Sequence, residues 1–375
     1  MAINPFIITE KIIPQYFCDR EKESAQLTKL LVNGNNVVLI SPRRMGKTAL
    51  IQFCYNNSIL KKEFITIYVD ILSTTNLKEF TFLLGREIFE SVKSRGLKVW
   101  KSFVNIVKSF AAKISVDPLS GLPSFNLQLG DITEPEYSLK EIFNYLGSAS
   151  KPCILAIDEF QQITRYPEKN VEALIRSHIL QINNCRMIFS GSQHHILADM
   201  FTSNSRPFYQ SASFIELQQI PKEIYSEFII KMFEQGHKKI SKELTGRIYD
   251  MFDGITYYVQ RVCNSLYSDT SEKEKADEKL LDDALNDILA SYDLIFRLRL
   301  SQYSTRQKEL LFAVARENIV DKITSVEFLQ KYSLISASAV QTSLKSLLKN
   351  ETIVRNEKGY IIDDRFFRMW ILRNF

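Results

Sequence analysis

The sequence has few of the residues that build disulfide frameworks and zinc sites. Its 375 residues include five cysteines, which are scattered along the chain. This odd number without paired spacing argues against a disulfide framework or a structural zinc site. Two of the four histidines are neighbours, His194 and His195, and such side chains point apart on a helix or a strand. Metal chemistry based on His and Cys is therefore not expected.

Long apolar runs are missing as well. No stretch approaches the roughly 18 uncharged apolar residues of a membrane span. The start, Met1–Phe6, has neither the basic region nor the apolar stretch of a secretory signal. Twelve glycines and ten prolines are too few for a fibrous or disordered chain, and 45% hydrophobic with 24% charged residues is a globular balance. We expect a cytoplasmic protein of two or three domains without membrane contact.

Positive charge is unevenly distributed along the chain. Residues 291–375 contain 14 Lys and Arg against 9 Asp and Glu, whereas the preceding residues are balanced. The entire net charge of +5 therefore lies in this C-terminal part. Such an asymmetry predicts a separate C-terminal module.

Short apolar runs alternate with helical patterns in the first half of the chain. A helix is predicted over about Leu77–Lys93. Residues 113–116 and 124–129 flank the turn Asp117–Gly121 and predict an inserted β-hairpin. The predicted strands of the main sheet are 36–40, 64–70, 153–158, 186–190 and 213–217. This alternation favours an α/β fold with a parallel sheet covered on both faces.

The segment between the first strand and its helix, Ser41–Thr48, has the features of a phosphate-binding loop. The strict pattern has Gly at the position of Ser41, but Gly46, Lys47 and Thr48 occupy their expected places. A loop that follows a buried strand and opens a helix offers free N–H groups and a favourable dipole to phosphate. Lys47 would reach the β- and γ-phosphates, Thr48 would bind magnesium, and Gly46 permits close backbone approach.

An acidic pair closes the third predicted strand. Asp158 and Glu159 follow four apolar residues, Ile154–Ile157, at the carboxyl end of the strand, where α/β sheets bind ligands. Asp158 would hold the magnesium shell, and Glu159 would orient or deprotonate the attacking water. An isolated Asp-Glu pair is usually solvated surface, but the apolar run and the upstream loop favour the catalytic interpretation.

Together these motifs resemble the archaeal-type ATPase family, P-loop ATPases related to the AAA+ and STAND classes. The resemblance covers most of the chain and adds four shorter motifs to the phosphate loop and Ile157–Phe160. These motifs are Phe17–Glu21, Phe189–Gln193, Ser205–Tyr209 and the tail Asp363–Trp370. Near its lid the family often has Gly-x-Pro, whereas this chain has Gly254-Ile255-Thr256. The resemblance implies a P-loop NTPase sheet, a helical lid and a winged helix, with ATP or ADP and Mg²⁺ as cofactors.

The resemblance also implies roles for residues outside the loop. Phe17 and Arg20 would lie near the adenine, and an ordinary core aromatic is the alternative for Phe17. Arg43 and Arg44 would touch phosphate or simply flank the loop. The full set of nucleotide-binding candidates is Phe17, Arg20, Arg43, Arg44, Met45, Gly46, Lys47, Thr48 and Ala49.

Two further catalytic roles follow from the resemblance. Ser190 or Ser192 occupies the place of a sensor for the γ-phosphate, and a turn serine capping a helix is the ordinary alternative. Arg206 follows the helix after the sensor strand, as arginine fingers do in related ATPases, and a plain surface arginine is its alternative. With Glu159 and Lys47, Ser192 and Arg206 complete the catalytic candidates, while Thr48 and Asp158 are the metal candidates.

These observations predict a three-part protein: a P-loop ATPase α/β domain over 1–220, a helical lid over 221–290 and a winged helix over 291–375. The first functional hypothesis is a slowly hydrolysing switch whose nucleotide state positions the winged helix. The second is a DNA-binding protein that uses nucleotide only for assembly, and an oligomer is compatible with either. A third, a remnant without nucleotide binding, is disfavoured by the intact loop and acidic pair.

The predicted third helix of the tail, Ser336–Asn350, is the candidate binding surface for a DNA or protein partner. Its apolar face, Val340, Leu344, Leu347 and Leu348, is expected in the core. The opposite face is small, polar and mildly basic, and Lys345 and Lys349 would meet phosphates of double-stranded DNA in the major groove. Winged helices also serve as protein-contact modules, so a protein partner stays open.

Overall fold

The computed structural model describes residues 4–8, 14–93, 97–111, 113–116 and 123–375. The chain divides into two compact units. The α/β unit comprises Ile7–Tyr225 and Ile255–Tyr257. The helical unit comprises the described part of Met1–Phe6 together with Ser226–Gly254 and Tyr258–Phe375. The division of the chain into three parts stays a prediction.

The α/β unit is built around a parallel five-stranded sheet, as the sequence predicted. The strands of the unit are β1 (Val37–Ile40), β2 (Ile65–Asp70), β3 (Ile114–Val116), β4 (Pro123–Phe125), β5 (Cys153–Asp158), β6 (Cys185–Gly191) and β7 (Ser213–Glu216). Their order in the main sheet is β2-β5-β6-β1-β7. In register, Asp70 pairs with Asp158 and Ile40 with Gly191. The carboxyl ends of β1, β2, β5 and β6 therefore align along one edge.

Helices surround this sheet. They are α1 (Glu21–Val32), α2 (Lys47–Tyr55), α3 (Ser58–Glu63), α4 (Leu77–Lys93), α5 (Leu97–Ile106), α6 (Lys108–Ala111), α7 (Pro135–Ser148), α8 (Val171–Leu180) and α9 (His194–Thr202). Short 3-10 helices are Pro14–Tyr16, Leu129–Asp131 and Phe160–Arg165. Neighbouring strand residues fall into different apolar clusters: Leu155 and Ile157 in one, Ile154 and Ala156 in the other. Because strand side chains alternate, both faces of the sheet are covered, as predicted.

The predicted β-hairpin is confirmed as an antiparallel pair of β3 and β4, with Ile114 opposite Phe125. Its second strand, predicted over 124–129, ends at Phe125. Its predicted turn, Asp117–Gly121, lies outside the described residues. The five cysteines of the chain are buried free thiols. None of the helices in the described ranges combines the length and apolar character that a membrane span requires.

Apart from the described part of Met1–Phe6, the helical unit runs from Ser226 within α10 to Phe375 and is interrupted at Ile255–Tyr257. Its helices are α10 (Lys222–Gln235), α11 (Lys242–Met251), α12 (Thr256–Asp269), α13 (Glu278–Ser301), α14 (Thr305–Glu317), α15 (Val326–Lys331), α16 (Ala337–Lys349) and α17 (Arg365–Asn374), and its strands are β8 (Ile353–Asn356) and β9 (Gly359–Ile362). The winged helix predicted over 291–375 was expected to have helices at Thr305–Glu317, Ser325–Tyr332 and Ser336–Asn350, followed by a hairpin of residues 352–355 and 360–363, and α14, α15, α16, β8 and β9 match this order. The final helix, α17, was not predicted from the sequence.

The faces of α16 are largely as predicted. Val340, Leu344 and Leu347 are buried, and Lys345 and Lys349 are exposed. The expectation that Leu348 also lies in the core is wrong, because its side chain is 36% exposed. At 3.6 residues per turn, Leu348 is rotated about 80° from Val340, which puts it at the edge of the apolar face.

Candidate functional site

The candidate phosphate loop connects β1 to α2, as the motif predicted. Gly46 precedes α2 with φ of 89°, a left-handed conformation that glycine adopts without steric cost. Among the described residues other than its chain neighbours, no heavy atom lies within 4 Å of the position that a Cβ would take there. The loop backbone is thus open on this side, and α2 begins at Lys47 with its N–H groups directed back toward the loop.

Lys47 is buried inside the loop, with 7% of its surface exposed. Its Nζ donates hydrogen bonds to the Ser41 carbonyl and hydroxyl, both at 3.1 Å, and to the Pro42 carbonyl at 3.2 Å. Ser41, which departs from the strict motif, therefore supplies two of the three acceptors, and its hydroxyl is one that glycine could not provide. Burial lowers the pKa of Lys47, although the nearby carboxylates of Asp158 and Glu159 act in the opposite direction. These acceptors are uncharged, so a bound phosphate would give the Lys47 ammonium a negatively charged hydrogen-bond partner.

Asp158 is the centre of a hydrogen-bond network at the end of β5. Its Oδ2 accepts from Thr48 Oγ1 at 2.9 Å and from the Tyr68 hydroxyl at 2.7 Å. Its Oδ1 accepts from Ser190 Oγ at 2.6 Å and from the Glu159 N–H at 3.0 Å. These donors fix the buried carboxylate beside the first turn of α2. The two predicted metal candidates, Thr48 and Asp158, thus lie in direct contact.

Glu159 has an unusual backbone conformation that the next residue anchors. Its φ is 56°, in the left-handed region that few residues other than glycine adopt. Phe160 is fully buried and packs against Phe189 and Phe208, with ring centroids 4.6 and 5.3 Å away. The apolar contacts of Phe160 hold the strained turn, and the turn directs the Glu159 carboxylate toward the end of β6.

The carboxylate of Glu159 is held through one of its oxygens. Its Oε2 accepts from the Gln161 amide at 2.5 Å, from Ser192 Oγ at 2.8 Å and from the Ser192 N–H at 3.4 Å. Ser192 Oγ also accepts from Arg43 Nε at 3.3 Å. Among the described residues, Glu159 Oε1 accepts no hydrogen bond. One oxygen is thus fixed and the other is available, which is the arrangement that a general base requires.

Several nucleotide candidates lie in or beside the loop, while two are engaged elsewhere. Met45 and Ala49 are buried in the loop and first turn. Phe17 stacks on Phe53 with centroids 4.3 Å apart. Arg20 is buried and donates to the Glu23 carboxylate at 2.7 Å and to the Gln218 carbonyl at 2.6 Å. These contacts tie α1 to the segment after β7, and the adenine roles of Phe17 and Arg20 stay predictions.

Arg44 contacts a distant segment of the same unit. Its carbonyl accepts from the N–H of Tyr257 at 3.1 Å, and its guanidinium lies over the Tyr257 ring, 5.1 Å from the centroid. Cation–π contacts of this kind contribute roughly 0.5–2 kcal/mol. The loop is therefore in contact with the three-residue segment Ile255–Tyr257 that belongs to the α/β unit.

Arg206 is held by carboxylates of two helices. Its guanidinium pairs with Glu172 of α8 at 2.7 Å and with Asp199 of α9 at 2.9 Å. Burial raises the pKa of Glu172, while Arg206 acts to lower it. These pairs give Arg206 a structural role within its own unit, and a finger role stays a prediction.

The oxygen atoms of Thr48 and Asp158 are suitable ligands for a hard divalent cation. A threonine hydroxyl and a carboxylate are oxygen ligands of the kind that Mg²⁺ uses together with nucleotide phosphates. No group of three or more His, Cys, Asp or Glu residues in the described ranges has the arrangement of a metal site. One hydroxyl and one carboxylate are too few ligands for a Mg²⁺ site built by protein alone, so a Mg²⁺ held here would take further ligands from nucleotide phosphates and water.

The sequence analysis did not identify two residues of the site, Tyr68 and Gln161. Tyr68 lies on β2 beside the strand that bears Asp158, and burial together with the nearby carboxylate raises its pKa, so it remains a hydrogen-bond donor. Gln161 is a buried polar residue between Phe160 and Ile163. The polar pair Gln161-Gln162, between Phe160 and Ile163 directly after the acidic pair, is the signal that was available.

A buried loop lysine at the start of a helix, joined through a threonine to an aspartate on a nearby parallel strand, defines a P-loop ATPase. The chain belongs to the family of ATPase domains found predominantly in Archaea, whose family model matches residues 17–262. A second family model, a probable winged helix domain, matches residues 294–373. The chain is accordingly an ATP-binding P-loop ATPase with a winged helix domain.

Known proteins support this classification. An uncharacterized ATP-binding protein of Methanocaldococcus jannaschii is 24% identical over 94% of this chain and 98% of its own length. A Walker-type ATPase of Pyrococcus abyssi has a similar structure with a TM-score of 0.66, at 19% identity over 98% of this chain and 99% of that one. The Aeropyrum pernix Orc1 protein, solved in complex with DNA, aligns with a TM-score of 0.54 and 12% identity over 99% and 96% of the two chains.

Proposed function

We propose that the chain is a nucleotide-operated switch: Mg·ATP binds at the loop, is hydrolysed slowly, and sets the position of the winged helix. In this proposal Lys47 binds the β- and γ-phosphates, and Thr48 and Asp158 hold the cation. A bound Mg²⁺ would neutralise phosphate charge. Glu159 Oε1 takes a proton from water as the water oxygen bonds the γ-phosphorus. The bond from that phosphorus to the β–γ bridging oxygen breaks, and ADP and phosphate leave.

The observation that carries the switch is the path of the chain around Tyr257. The segment Ile255–Tyr257 belongs to the α/β unit, while the residues on both sides of it belong to the helical unit. Within the helical unit, Asp253 pairs with Arg365 of α17 at 2.6 Å. A movement of Arg44 would therefore be transmitted through its contact with Tyr257, along the four residues from Thr256 back to Asp253, and through the ion pair to Arg365 at the start of α17. Such a short covalent connection supports coupling between nucleotide state and winged helix.

Replacing Tyr257 with Ala should uncouple the two units without abolishing ATP binding. The change removes the ring beneath Arg44 but none of the loop groups that would meet phosphate. All five native cysteines are buried, so fluorophores can be placed on cysteines introduced at exposed Lys62 and Lys358. We expect ATP to change the energy transfer between them in the parent protein, and the change to be lost in Tyr257→Ala while ATP affinity stays within about threefold.

The control is Tyr137→Ala, an exposed tyrosine of α7 in the α/β unit. It should respond to ATP as the parent does. If ATP leaves the energy transfer of the parent protein unchanged, the switch is contradicted. If Tyr257→Ala responds like the parent, the route through Tyr257 is contradicted while the switch is not.

A second candidate function, binding of double-stranded DNA, is favoured by the exposed face of α16. This face presents Ser338, Gln341, Thr342, Lys345 and Lys349, all within residues 291–375, the part of the chain that accounts for its net positive charge. A polar, basic helix face is suited to phosphates and base edges in a major groove. The structural neighbour that was solved with DNA shares this fold and gives the idea additional support.

Reversing both charges, Lys345→Glu with Lys349→Glu, should weaken binding to a DNA duplex. Loss of two phosphate contacts should also flatten the salt dependence by about two counterions. Gel-shift titrations at several salt concentrations measure both effects. A matched control reverses two exposed lysines outside the winged helix, Lys231 and Lys279, and should bind almost as the parent does. Absence of duplex binding by the parent at low salt would leave a protein partner as the alternative.

A further inference from the structure

The buried amide of Gln161 is incompletely satisfied. Its side chain is 3% exposed, its Nε2 donates to Glu159 Oε2 at 2.5 Å, and its Oε1 has no hydrogen-bond partner among the described residues. The opposite orientation of the amide would bring its oxygen against a carboxylate, so the orientation is set by Glu159. An apolar side chain at this buried position would avoid the unpaired oxygen. The contact with Glu159 is the feature that requires glutamine here.

Gly191, at the end of β6, leaves the space that Gln161 occupies. A Cβ on Gly191 would clash with Gln161 Oε1 and lie 3.0 Å from its Cδ. The backbone of Gly191 is not in the left-handed region, so its conformation is open to any residue. Glycine at this position is therefore explained by the room it leaves for the Gln161 amide.

We propose that Gln161, seated against Gly191, is the positioning residue of Glu159. The inference rests on the proposed hydrolysis, in which Glu159 accepts the proton of the attacking water. Gln161 and Ser192 fix Oε2 from two sides, so the carboxylate keeps one orientation and presents Oε1. Without the amide, the carboxylate rotates about its side-chain bonds and the base is misplaced. Among the described residues, no hydrogen bond joins the Gln161 side chain to the loop Ser41–Thr48, so its effect is on turnover rather than on binding.

The first test compares turnover with ATP affinity. Gln161→Leu retains the volume and removes the donor, and we expect single-turnover hydrolysis to fall by roughly 10²-fold, the usual effect of misplacing a reacting group by about 1 Å. The dissociation constant of a fluorescent ATP analogue should stay within about twofold. The matched control is Gln162→Leu, because the Gln162 amide bonds the Thr74 carbonyl and not Glu159. This control should hydrolyse ATP at nearly the parent rate.

The second test needs no nucleotide. Gly191→Ala should lower the melting temperature in the parent, because its methyl group displaces Gln161. In a Gln161→Ala background the same change should have little effect on the melting temperature, since the clash is gone. Such non-additivity identifies the pair directly. A crystal structure of the nucleotide-free Gln161→Leu protein should show the Glu159 carboxylate rotated from its position in the parent.

The outcomes separate this inference from the proposed function. If Gln161→Leu hydrolyses ATP at the parent rate while Glu159→Gln is slow, the positioning role is overturned and the ATPase function stands. Equal destabilisation by Gly191→Ala in both backgrounds overturns the steric pairing. A parent protein that binds Mg·ATP and never hydrolyses it overturns the proposed hydrolysis and the role of Gln161 together.

Discussion

Replacing Lys47 with Ala should remove most of the affinity for ATP. The side chain is buried in the loop, and its ammonium is directed at loop oxygens by three hydrogen bonds. A charge-assisted contact to phosphate contributes about 1.5–3 kcal/mol, which corresponds to a loss of roughly tenfold to a hundredfold in affinity. Equilibrium titration with a fluorescent ATP analogue measures the loss.

The matched control for this change is Lys62→Ala. Lys62 is a lysine of α3 whose side chain is 83% exposed, and its pairing with Glu63 is a surface contact of small energy. We expect it to bind ATP like the parent. Circular dichroism should confirm that the Lys47→Ala protein is folded. Equal affinity of the two variants and the parent would contradict the assignment of the phosphate loop.

The sequence predicted the sheet closely because its central strands, β1, β5 and β6, are almost entirely buried on both faces. Cys153–Asp158 is a continuous apolar run that ends in a carboxylate, and the structure has β5 with the same bounds. The loop Ser41–Thr48 was equally clear, since its glycine, lysine and threonine have fixed places between a strand and a helix. In both cases the structure could be predicted from a few consecutive residues, without knowledge of contacts elsewhere in the chain.

Contacts between distant segments were not predictable in the same way. The pairing of Arg44 with Tyr257 joins residues more than 200 positions apart, and neither belongs to a strict motif. The fit of Gln161 against Gly191 depends on the register of β6 and on the left-handed turn at Glu159. The finger role considered for Arg206 is based on its position after the sensor strand, whereas its ion pairs depend on the packing of α8 and α9. Such features arise from tertiary structure rather than from local pattern.

Glu159→Gln should slow ATP hydrolysis by roughly 10²–10⁴-fold while ATP remains bound, because an amide cannot accept the proton of the attacking water. The substitution is nearly isosteric, and the Ser192 donors at the Oε2 position can still meet an amide oxygen. A phosphate-release assay under single-turnover conditions measures the rate, and titration with the fluorescent analogue measures the affinity. Retained affinity with lost turnover is the signature of a group that acts only in the transition state.

The neighbouring carboxylate supplies the control, because its predicted role is different. Asp158 contacts Thr48 directly, so Asp158→Asn should raise the magnesium concentration that hydrolysis requires, rather than abolish turnover at saturating metal. Glu159→Gln should leave the magnesium requirement almost unchanged and remain slow at every concentration. If Glu159→Gln instead releases phosphate at the parent rate, another residue is the base. The left-handed turn that directs Glu159 toward β6 would then have a structural role only.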